Sequence, residues 1–128
     1  MTETTAVESL QLTIEGITYR KITDQIVAAI EGGVGYWMNE FKPVDRIATK
    51  VSPWYDDEKI WAGDFKIRVG VDEDEKEYFM TPQSMKEGLQ WLADNHLWRI
   101  EQIVKENGDA ETGDVFLQAC IFKDIVYG

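Results

Sequence analysis

Between Phe65 and Leu92 the apolar residues change from a period of two to helical spacing, and this change restricts the chain to folds that mix sheet and helix. Phe65, Ile67, Val69 and Val71 fall on one face and Lys66 and Arg68 on the other, the alternation of a strand with one buried side. The charged run Asp72–Glu77 separates them from Tyr78-Phe79-Met80, so the segment predicts a β-hairpin. Thr81-Pro82 then sets an N-cap residue beside a first-turn proline, a helix start. Met80 and Met85 occupy the flanking staple positions. Met85, Leu89, Leu92, Ala93, Ile100, Ile103 and Val104 keep helical spacing as far as Asn107-Gly108, with a break expected at Asp94-Asn95-His96 because Asn and Asp favour caps and turns.

The rest of the chain fits the same class. Leu10, Leu12 and Ile14 alternate with polar residues and predict a strand over 9–18. Ile22, Ile26, Val27 and Ile30 predict a helix over Lys21–Glu31 with Thr23 as its N-cap. Gly32-Gly33 ends or bends it, and a short helical turn is expected before Pro43. Arg46–Val51 reads as a short strand and Ser52–Lys59 as a loop. Thr112 is expected to cap a last helix in which Val115, Phe116, Ala119, Cys120 and Phe122 are packed, before a short strand or extended tail from Asp124 to Gly128. The prediction is a flexible stretch over 1–8 and one α+β domain over 9–128, with a small mixed or antiparallel sheet and about three helices packed on one face.

Composition bounds what such a domain can do. The 128 residues are 44% hydrophobic, with five Trp, five Tyr and five Phe, enough to build a core without staples. Cys120 is the one cysteine, so no internal disulfide forms and a cysteine zinc site lacks ligands. That usage and the polar, acidic start of the chain fit a cytoplasmic protein, with no membrane partner. The net charge is −11, which repels nucleic acid and attracts basic surfaces, including those of proteins that grip nucleic acid. Residues 1–40 hold 6 acids and 2 bases, 41–80 hold 10 and 7, and 81–128 hold 8 and 4. The excess is therefore spread along the chain.

Catalytic and metal motifs are not assembled in this sequence. A calcium loop starting at Asp72 would need glycine where Glu77 stands and a bidentate glutamate where Gln83 stands. His96 is the one histidine, which rules out a histidine-based zinc set within one chain. Cys120 has apolar neighbours that make a thiol inert. Gly32-Gly33-Val34-Gly35 lacks the Lys-Ser or Lys-Thr of a phosphate loop and follows a helix rather than a strand. The chain is accordingly expected to be no enzyme and to use no cofactor or metal.

Glu31, Gly32, Gly33, Gly35, Tyr36 and Trp37 form the most suggestive constellation. Glycines let a backbone or a flat ligand approach closely, the aromatics can stack on a base or fill a pocket, and Glu31 can accept hydrogen bonds. The same glycines equally permit a helix break with the aromatics plugging the core behind it. Trp54 and Trp61 flank an acidic loop, and Trp91 and Trp98 are seven apart on an expected common helix face. Exposed tryptophans would mark an interface, and a homodimer or larger ring is expected.

Three motifs occur together: Glu31-Gly32-Gly33-x-x-Tyr36-Trp37, Thr81-x-x-x-Met85-x-x-Gly88-Leu89-x-x-Leu92, and Asp114-x-x-x-Gln118-x-x-x-Phe122-x-x-Ile125-Val126-Tyr127-Gly128. Over roughly residues 10–128 the chain resembles a family of small uncharacterised phage and prophage proteins. Members often carry Gly where this chain has Lys123. The resemblance implies no catalytic residue. It implies a phage-borne accessory protein in the host cytoplasm that acts by stoichiometric binding. With the charge, this leads to an acidic, DNA-mimicking inhibitor of a host defence or nucleic-acid-binding protein. The alternatives are a sequestering protein for a small, cyclic nucleotide and a structural phage component.

Overall fold

The computed structural model describes residues 16–128. It is an α+β structure whose described part holds a three-stranded antiparallel sheet and five α-helices. The elements run α1 (Tyr19–Gly32), β1 (Met38–Pro43), a 3-10 turn (Trp54–Asp56), α2 (Glu58–Trp61), β2 (Ile67–Val71), β3 (Asp74–Met80), α3 (Pro82–Asn95), α4 (Leu97–Lys105) and α5 (Ala110–Phe122). The flexible stretch expected over 1–8 lies outside the described residues, as does the strand expected over 9–18 except for its last three, which are not strand.

The hairpin forms where the alternation puts it, with β2 in the middle of the order β1-β2-β3. Ile67, Val69 and Val71 are buried while Arg68 is exposed, so one face of the sheet closes the core. The charged run is shorter as a turn than the sequence suggests. Asp72-Glu73 makes the reversal with Glu73 at φ 61, and strand β3 resumes at Asp74. Acidic residues thus lie on the strand, where exposed side chains tolerate them.

Thr81 caps α3 as expected. Its Oγ1 accepts from Ser84 N at 3.1 Å and Ser84 Oγ accepts from Thr81 N at 2.8 Å, a reciprocal box that satisfies two amides without intrahelical partners. Two other caps differ from expectation. Helix α1 starts earlier, with Thr18 as its N-cap, because Tyr19 to Lys21 extend the turn. Thr23 sits inside and donates to Tyr19 O at 2.6 Å. Asp109, not Thr112, caps α5, while Thr112 closes the box from the third position.

The expected short strand over 46–51 is irregular, and the expected loop over 52–59 carries the 3-10 turn and the start of α2. The expected helical turn before Pro43 is instead a turn at 35–37 leading into β1.

Helix α5 lies between α1 and α3, and every residue from Thr112 to Cys120 is buried. A helix covered all round is a core helix rather than an amphipathic one. Glycine makes this density sterically feasible. A Cβ on Gly88 of α3 would lie 2.6 Å from the Cys120 backbone, and one on Gly113 of α5 would lie 2.5 Å from Gln25 O of α1. The backbones therefore pack in direct contact at two points along one helix.

Candidate functional site

Helix α1 stops at the glycine pair, and the chain turns into β1 through Trp37. Gly33 N and Val34 N both donate to Ala29 O, at 2.9 and 3.1 Å, which satisfies the frayed helix end. A Cβ on Gly32 would come 2.9 Å from Ala110 Cβ at the start of α5. The glycines therefore admit a neighbouring helix. Gly35 has nothing within 4 Å of an added Cβ.

The aromatics of this segment meet the closing motif of the chain. The Trp37 indole N–H donates to Asp114 Oδ1 at 2.8 Å, and the Tyr36 hydroxyl donates to Asp114 Oδ2 at 2.7 Å. Gln118, one turn on, donates to Asp114 Oδ1 at 2.9 Å and to Tyr127 O at 3.1 Å. Its Oε1 accepts from Val126 N and Tyr127 N, both at 2.8 Å. Trp37 stacks on Tyr127 with centroids 5.5 Å apart and an interplanar angle of 2°, and tilts against Phe122 at 5.6 Å.

Asp114 is 7% exposed and has no cation partner among the described residues. Three donated hydrogen bonds compensate its burial. Desolvation and, second, the bond to Asp114 push the Tyr36 hydroxyl up to about 12.

Among the residues singled out in the sequence, Trp37 is fully buried, Tyr36 is 53% exposed, and Glu31 is exposed and accepts from the Tyr55 hydroxyl at 2.9 Å. Trp54 and Trp61 belong to a second aromatic cluster with Phe41 and Phe65. Trp61 is buried and donates to Tyr55 O at 2.9 Å, and Trp54 is half-buried. Glu31 touches the edge of that cluster through Tyr55, while Trp37 belongs to the joint with α5.

No set of three metal-ligating side chains exists among the described residues. Burial pushes the Cys120 thiol far up, and His96 packs its ring on Trp91 at 5.3 Å. A groove of about 590 Å³ lies between α1, α2 and α3, lined by Ile17, Ile22, Trp61, Met85 and Leu89 among others. Among the described residues its titratable lining is Tyr19 and Lys86.

The sequence places Trp91 and Trp98 on one helix face, and the structure corrects this. His96 separates α3 from α4, so the two rings diverge. Trp91 is half-buried, whereas Leu97 and Trp98 are 57% and 53% exposed. Behind the Trp98 ring stands the Arg99 guanidinium, 3.9 Å from its centroid. Arg99 is 8% exposed and reaches Gln102, Thr112 and Glu111 at 3.2, 3.4 and 2.9 Å. The indole is thus held as a rigid plate at the α3–α4 corner. Glu101, exposed and one turn along α4, and Glu111, bonded to Arg99, stand beside it. The Trp-Arg pair at a helix break was the one local signal for this corner, and periodicity masked it.

No family model matches the chain, and neither a curated protein nor a solved structure matches it. No helix among the described residues is long and apolar enough to cross a membrane.

Proposed function

We propose that the chain acts without catalysis, by stoichiometric binding, as an acidic inhibitor of a host defence or nucleic-acid-binding protein that presents a basic surface. The observation that carries this reading is the α3–α4 corner. Leu97 and Trp98 are exposed side by side, and large aromatics backed by rigid packing are the anchors of protein interfaces. Glu101 and Glu111 flank them, so an arginine- or lysine-bearing partner gains both an apolar seat and a charged rim. Among the described residues only Asp24, Asp56, Glu87 and Glu111 have cation partners. Exposed carboxylates outside these pairs, such as Glu40, Glu75, Glu77 and Glu101, are available to an external basic surface, in the manner of a phosphate backbone.

The nucleotide-sequestering alternative has less support. Of the two rings it would use for stacking, Trp37 lies against Tyr127 and Phe122 and is fully buried, and Tyr36 is exposed but tied through its hydroxyl to Asp114.

The test is capture from host lysate with immobilised wild-type chain and with Trp98→Ala, each at low and high salt. A basic protein retained by the wild type, released by salt and lost in the variant supports the reading. A partner held equally by both, or indifferent to salt, counts against it.

A further inference from the structure

Among the described residues the outer face of the sheet carries no helix, and it is divided by charge. Pairing puts Lys42 opposite Arg68, and Arg68 opposite Phe79. Val44 N donates to Lys66 O at 2.9 Å, which extends the ladder by one step. Lys42, Lys66 and Arg68 therefore share the outward side, with the Lys66 ammonium 4.5 Å over the Phe79 ring. All three cations are exposed, and none makes an ion pair among the described residues. Like charges set directly across a ladder destabilise it. In a chain with 24 acids and 13 bases, three unpaired cations on one small face are a retained cost.

Two residues further along the strands the sign reverses. Glu40 is paired with Gly70, and Glu77 lies two residues from Phe79 on the same side of β3. Glu40, Glu75, Glu77, Arg68 and Lys76 are among the residues that line a shallow hollow of about 260 Å³. The Asn39 carboxamide lies over Gly70. The face thus has a cationic row and, beside it, a row in which carboxylates outnumber cations.

We infer that this face is a homodimer interface and that its partner is a second copy of the same chain. A two-fold axis lying in the interface and running across the strands turns one copy over the other. The cationic row of each then meets the anionic row of its mate, with Arg68 set between Glu40 and Glu77 of the other copy. The arrangement is isologous: each contact occurs twice. A face of three short strands is smaller than the roughly 800 Å² per partner of a standard interface, so the dimer is weak and salt-sensitive. It lies on the sheet, away from the α3–α4 corner, and does not depend on the inhibitor reading.

Sedimentation of the full chain over a wide concentration range, with Arg68→Glu and Glu77→Lys alone and mixed, tests this. Wild type is expected to move from monomer toward dimer mass with concentration and back with added salt. Each variant alone faces like with like and loses at least about tenfold in self-association. Their equimolar mixture matches opposite charges at both 68–77 contacts and recovers the dimer, which also shows that both variants fold. A wild type that stays monomeric throughout, or a mixture no better than its components, overturns the proposal. So does a monomeric wild type whose Arg68 face binds single-stranded oligonucleotide, which would assign the cations to a polyanion.

Discussion

The indole nitrogen of Trp37 donates to Asp114 across 77 positions of sequence, at 2.8 Å. One carboxylate thereby fixes the turn between α1 and β1 against the central helix. It also receives Tyr36 and Gln118. Asp114→Ala orphans three donors around a buried site, and a loss of about 2–4 kcal/mol is expected in urea denaturation. Asp114→Asn keeps one carbonyl acceptor and should cost roughly half of that. Equal losses in the two variants would show that volume, not hydrogen bonding, sets the effect.

Glycines 35 and 88 should respond oppositely to alanine. Gly35→Ala meets nothing within 4 Å and should change stability by less than about 0.5 kcal/mol. Gly88→Ala places its Cβ 2.6 Å from the Cys120 backbone, and neither helix has a side-chain rotamer with which to yield. A loss of about 3 kcal/mol or failure to fold is expected. Thermal melts of both variants check the contrast.

Lys123 stands at φ 51 as the C-cap of α5, a left-handed position where glycine has no steric penalty. Lys123→Gly relieves this strain but removes the exposed ion pair to Glu87, 2.8 Å long and worth little in water. The net expectation is a gain of up to about 1 kcal/mol. A clear loss in chemical denaturation would show that the lysine stem contributes packing of its own.

Alkaline pH should reach Tyr36 late. Its folded pKa is raised from 10.0 to about 12. The neutral hydroxyl is therefore favoured by folding, and its contribution is fully present below pH 10 and lost as pH rises toward 12. Tyr55 is shifted in the same direction by burial and its bond to Glu31, and Tyr78 by its bond to Asp74 and then burial, so the Tyr36→Phe difference is the informative quantity. Tyrosinate absorbance should lose its latest-titrating component in that variant. An unchanged titration curve would refute the assignment.

Tryptophan accessibility separates the two aromatic environments. Acrylamide should quench Trp98 readily and leave Trp37 and Trp61, which are 0% and 1% exposed, dark to the quencher. Trp98→Phe should remove most of the accessible fraction and shift stability by less than about 1 kcal/mol. A large stability loss would mean that the ring is structural rather than presented.

The parts of this fold that were legible in the sequence are those where local and tertiary signals agree. Ile67, Val69 and Val71 alternate because a single face is buried, and Thr81-Pro82 starts a helix by local chemistry alone. Helix α5 was legible as a helix but not as the central one, since Thr112, Asp114 and Gln118 look like a polar face until their partners are known. Thr23 and Thr112 read as caps where the structure has Thr18 and Asp109, because Thr and Asp both suit the role. The ambiguity of the candidate segment between pocket and joint depended on Asp114 and Tyr127, which no spacing rule links to Trp37.

Gln118 holds the backbone of Val126 and Tyr127 with its own amide, and Tyr127 covers Trp37. This sets an order in time. On the ribosome α1 and the hairpin emerge early, but Trp37 lacks its stacking partner until residue 127 has cleared the exit tunnel. The Trp37 indole therefore stays uncovered after α1 and the hairpin have emerged, and the joint it forms with α5 closes later than either.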